Sequence, residues 1–137
     1  MKKTIVKILA LSLIAVMMCL ALVSCGGPNS DPKKAKDSLE DAGYEVLYAS
    51  NKVEAVFLGG WYDGCEAAIM ASNEDDEAVW IWYFEEKEDA EKAWEDGLEK
   101  YADELKEEAK EEDVDLVGKQ SGKMIYIGTK KAINAAK

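Results

Sequence analysis

The run Ala78-Val79-Trp80-Ile81-Trp82-Tyr83-Phe84 decides the fold of this chain. In an extended strand, successive side chains point to opposite faces. Ala78, Trp80, Trp82 and Phe84 then share one face, and Val79, Ile81 and Tyr83 the other. Both faces are apolar, which is the pattern of a central strand covered on both sides.

Working outward from it, Cys65–Ser72 reads as a second strand. Asn73-Glu74-Asp75-Asp76-Glu77 between the two has turn composition, so they form an antiparallel hairpin. On the other side, Lys87 to about Lys110 carries a stripe at helical spacing: Ala90, Ala93/Trp94, Leu98, Tyr101, Leu105 and Ala109. Gly97 interrupts it at a cost of roughly 1 kcal/mol relative to Ala, and is expected to let the helix approach the sheet. Val114–Lys119 and Lys123–Ile127 form a second hairpin, turned at Gln120-Ser121-Gly122. Gly128-Thr129 then caps a last helix with Ala132, Ile133 and Ala136 facing inward.

Upstream, Asp31-Pro32 supplies an N-cap and a first-turn proline. Ala35, Leu39 and Ala42 give a narrow apolar stripe, and Gly43 ends that helix at C′. Tyr44–Ala49 follows as a strand. Residues 51–58 fit a helical or irregular turn, with a buried strand as the alternative. Gly59–Gly64 is a loop holding Trp61 and Tyr62. The order is α-β-(short turn)-β-β-α-β-β-α. It predicts an α+β domain over residues 31–137, with an antiparallel sheet of four to five strands and helices mainly on one face.

Before this domain lie a basic start, Met1 to Lys7, and 16 residues from Ile8 to Val23 with Ser12 the only clearly polar one. The run ends in Leu22-Val23-Ser24-Cys25. Together these resemble the bacterial lipoprotein signal. The resemblance covers residues 1–25 and implies that 1–24 are removed and a diacylglyceryl group is attached to Cys25. Two acyl chains hold a protein stably where one is marginal. The expected location is the cell membrane, with the domain lipid-anchored and facing outside the cytoplasm. Residues 25–30, the lipidated Cys and Gly26-Gly27-Pro28-Asn29-Ser30, then read as a flexible spacer of about 12 Å.

Without residues 1–24 the chain carries 14 Lys against 28 acidic residues, a formal charge of −14. That balance opposes nucleic acid as a partner, and holds the domain slightly off an anionic bilayer. Arg and His are absent, which removes the bidentate fork for phosphate and carboxylate, the usual general base and the commonest metal ligand. No cofactor or metal is expected.

Cys65 is the only thiol left in the domain, with no His to activate it and Glu66 beside it to raise its pKa. The acidic turn 73–77 lacks the spacing and the glycine of an EF-hand loop, so it reads as a solvated tip. Residues 107–113 read as a solvated helix end. Among the aromatics Trp80 and Trp94 are expected in the core, while Trp61 and Tyr62, on a Gly-flanked loop, are the candidate contact surface. Carboxylates are so numerous that some pair always lies at glycosidase distance, which tells nothing.

The reading that follows is a non-enzymatic, lipid-anchored binding or accessory module. It meets the membrane through Cys25 and an envelope protein or small ligand through its aromatics. The alternative is a small acidic inhibitor of a secreted or envelope hydrolase.

Overall fold

The strand Ala78–Phe84 lies at the centre of a five-stranded sheet, in a computed structural model that describes residues 27–51, 53–54 and 62–137. In chain order the elements are α1 (Pro32–Asp41), β1 (Glu45–Ala49), β2 (Cys65–Ser72), β3 (Ala78–Phe84), α2 (Lys87–Ala93), a π-helical turn (Trp94–Leu98), α3 (Glu99–Glu111), β4 (Leu116–Ser121), β5 (Met124–Thr129) and α4 (Lys130–Ala135). The sheet order is β1-β2-β3-β5-β4 with every neighbouring pair antiparallel. The fold is α+β. Since β5 runs antiparallel to both β3 and β4, those two strands are parallel, and the α2–α3 arm carries the chain across β5 between them.

The expectation of helices mainly on one face does not hold. On one face Val79, Ile81 and Tyr83 of β3 pack with Ala35 and Leu39 of α1, with Ala132 and Ile133 of α4, and with Ala136 at its C-cap. On the other, Trp80, Trp82 and Phe84 pack with Ala90 and Ala93 of α2, Leu98 of the π turn and Ala102 of α3. A strand apolar on both faces needs cover on both, so β3 itself demanded this arrangement. The molecule has three layers.

Local chemistry explains where the elements stop. The Asp31 carboxylate accepts from the Lys33 and Lys34 amides, opening α1. Gly43, at φ +88, closes it: its amide reaches Glu40 O, and the Tyr44 amide reaches Leu39 O. The α3 terminus repeats that double bond pattern, with Asp113 to Lys110 O and Val114 to Ala109 O, but the left-handed position is held by Asp113 at φ +59. The 73–77 turn is tied from within, as Asn73 Oδ1 accepts from the Asp75 and Glu77 amides. Gly122, at φ +58, turns the second hairpin. Thr129 Oγ1 accepts from the Ala132 amide and caps α4. Of the 51–58 stretch, Val53 and Glu54 are helical and residues 52 and 55–58 lie outside the described residues.

Two readings change at close range. A Cβ on Gly97 would meet nothing within 4 Å, so Gly97 is not a point of close approach. It lies inside the π turn, where the Glu99 amide bonds Trp94 O, five residues back. The extra residue rotates the helix beyond it. Ala102, fully buried, takes the inward position expected of Tyr101, which is 39% exposed. The segment expected to be a flexible spacer is also seated over its described part, residues 27–30. Pro28 is buried, the Asn29 amide donates to Ala136 O at 2.8 Å, and the Tyr83 hydroxyl donates to Asn29 O at 2.8 Å.

Candidate contact surface

One row of residues crosses the sheet on the α2–α3 face. The strand register aligns Leu47, Met70, Trp80, Ile127 and Gly118. At the Gly118 end the row is closed by Ala102, but cover thins toward β1: Trp80 and Met70 are half-buried and Leu47 is 57% exposed. The opposite face of β1 behaves differently, since Val46 and Tyr48 pack against the α1–α4 core. Leu47 is therefore the outer end of an apolar row rather than a scattered surface leucine.

Aromatic rings border this row. Trp80 and Trp82 stack with centroids 4.9 Å apart and planes 23° apart. Tyr101 meets Trp80 edge-on at 6.4 Å, and Tyr62 meets Trp82 edge-on at 6.1 Å. Such offset and edge contacts follow the ring quadrupoles, and each is worth about 0.5–1.5 kcal/mol beyond burial. The indole N–H groups of Trp80 and Trp82 are buried with no acceptor among the described residues.

Tyr62, one of the two residues singled out as a contact surface, is thus half-buried against Trp82, and burial raises its hydroxyl pKa. Trp61, the other, lies outside the described residues, as does Cys25. Beside Tyr62 a hollow of about 230 Å³ is lined by Asp63, Asp89, Lys92, Ala93 and Asp96. A larger one of about 430 Å³ runs along the edge strand β4. Its three lysines each have an acidic partner: Lys106 with Asp103 at 3.8 Å, Lys110 with Glu107 at 2.6 Å, and Lys130 with Asp115 at 2.7 Å. Among the described residues no group of three or more acidic or cysteine side chains is arranged to hold a metal ion.

Cys65 is buried, and its Sγ donates to Ala67 O at 3.4 Å. Burial pushes the thiol up to about 11, with a small contribution from the Glu66 charge in the same direction. A thiol with so little thiolate at neutral pH is a poor nucleophile. The sequence did not reveal Leu47, Met70 and Tyr101 as neighbours of the Trp pair. That grouping needs the strand register and the π turn, and only Gly97 hinted at the latter.

No family model, curated protein or solved structure matches the chain. No helix among the described residues is long and apolar enough to cross a membrane.

Proposed function

We propose that the chain is an extracytoplasmic lipoprotein that works by contact rather than by catalysis, tethered through Cys25. The observation that carries the anchor is Leu22-Val23-Ser24-Cys25 at the end of a basic-then-apolar segment. What supports contact is the row Leu47–Met70–Trp80, bordered by Tyr62 and Tyr101, which joins half-buried aromatic rings to an exposed apolar edge. Rigid aromatics of this kind dominate binding energy where they meet a partner. The partner is an envelope protein or a small apolar ligand.

Leu47→Asp with Tyr101→Ala tests the surface. Both side chains are exposed, so the double variant is expected to stay folded, losing about 1–3 kcal/mol as the Tyr101–Trp80 edge contact goes. Crosslinking in intact cells, from a photoreactive residue placed at Glu45, is expected to give a discrete adduct that the double variant loses. An adduct pattern unchanged by the double substitution removes this surface from the account.

The second reading, an acidic inhibitor of an envelope hydrolase, is favoured by the α2–α3 arm. Residues 87–111 hold 11 acidic side chains and 5 lysines. It differs by requiring a one-to-one complex with a basic cleft, and an association rate that falls steeply with salt.

A further inference from the structure

The two helical layers carry opposite charge balances. Residues 31–41 and 130–137, which form α1 and α4 with their flanks, hold six lysines and four acidic side chains, and Asp115, paired with Lys130, brings the balance to +1. Residues 87–111, on the other side of the sheet, stand at −6. The whole-chain charge therefore misdescribes the surface that any one neighbour meets.

The N-terminal segment leaves the domain on the less acidic side. Asn29 is bonded to Ala136, the C-cap of α4, and to Tyr83, and Gly27 lies against the Tyr126 ring, all on the α1–α4 side of the sheet. Pro28 is buried. A diacylglyceryl group on Cys25 would be three residues from it, at most about 11 Å of extended chain. A tether so short does not let the domain tumble freely over the bilayer. Lys33 and Lys34 stand in the first turn of α1, directly after the seated segment, and Lys137 directly follows Ala136. Lys131 lies on the solvent side of α4. All four are exposed.

We propose that the outer face of α1 and α4 lies against the anionic surface of the membrane, with Lys33, Lys34, Lys131 and Lys137 toward the headgroups. This rests on the lipid-anchor reading and adds an orientation to it. Distance decides against the net negative charge. Packed layers are about 10 Å apart, so the α2–α3 arm stands roughly 20 Å farther from the lipid. The Debye length in physiological salt is about 8 Å. Repulsion from the far layer is largely screened, whereas the near lysines lie within reach of the surface potential. The orientation also leaves Leu47, Trp80 and Tyr101 on the side turned away from the bilayer, open to a partner.

The test uses full-length protein made in a host that processes lipoproteins, then placed in vesicles of phosphatidylcholine with a quarter phosphatidylglycerol. A fluorophore is attached at Lys131→Cys or at Glu104→Cys, both exposed, while Cys65 is buried. Quenching by headgroup-labelled lipid is expected to be several-fold stronger at 131. Replacing Lys33, Lys34 and Lys137 by Glu is expected to remove most of that difference. Lipidated, vesicle-bound protein quenched equally at both sites, or more at 104, overturns the orientation while leaving the anchor. Protein without lipid on Cys25 that stays off the vesicles overturns the anchor, and the orientation with it.

Discussion

Ala102 occupies the space that a side chain on Gly118 would need: a Cβ built on Gly118 would lie 2.7 Å from the Ala102 Cβ. This small-on-small contact sets how closely α3 lies on the β4 edge of the sheet, and it exists because the π turn brings Ala102 inward. Gly118→Ala is therefore expected to destabilise the domain by about 1–3 kcal/mol, as overpacking does. Gly97→Ala, whose Cβ meets open space, is expected to stay within about 1 kcal/mol of the parent. Urea unfolding midpoints separate the two. Equal effects would mean that α3 does not pack on Gly118.

Asp113 holds a left-handed conformation at the end of α3 that glycine adopts at no steric cost. Its negative charge also faces the negative end of the helix dipole. Asp113→Gly is expected to raise stability by about 0.5–1 kcal/mol. The check is the same urea titration, and a lowered midpoint would speak against this termination.

The bond from the Tyr83 hydroxyl to Asn29 O joins the central strand to the segment that precedes α1. Tyr83→Phe leaves the ring and removes the donor, at a cost of about 1 kcal/mol. Amide exchange measured across residues 27–31 is expected to accelerate in the variant while β3 stays protected. Unchanged exchange there would show that the segment is held by other contacts.

Alkaline pH is expected to weaken the fold. Burial raises the Cys65 thiol from 9.0 to about 11, and raises the Tyr83, Tyr44, Tyr62 and Tyr126 hydroxyls as well. The folded chain then keeps protons that the unfolded chain has already released. Stability is complete below about pH 9 and falls as pH rises through 11. Cys65 alone contributes on the order of 2–3 kcal/mol to that fall. Urea midpoints from pH 7 to 11 test it, and a flat profile would contradict it. Cys65→Ala is expected to shrink the decline measurably.

The central strand was legible because alternation of large apolar residues is a direct record of two buried faces. Its hairpin partner and the Gly43 stop were legible for similar reasons, each being a local signal with one physical meaning. The number of helical layers was not inferred from that same alternation, although Val79, Ile81 and Tyr83 required cover as much as Trp80 and Trp82 did. The left-handed stop at Asp113 was hidden, because an aspartate there gives none of the signal a glycine gives. The exchange of Tyr101 for Ala102 was hidden too, since it depends on one extra residue in a turn whose only trace is Gly97. The contact surface needed strand register: Leu47, Met70 and Trp80 are far apart in sequence, and no spacing rule brings them together.

The claim on which the rest depends is the covalent state of Cys25, and intact mass spectrometry of the membrane fraction measures it. The account predicts a mature chain that begins at Cys25 and carries a diacylglyceryl group, and a Cys25→Ser chain that is neither processed nor lipidated. A mature species that retains residues 1–24, or a Cys25→Ser chain still cleaved and membrane-bound, would contradict it.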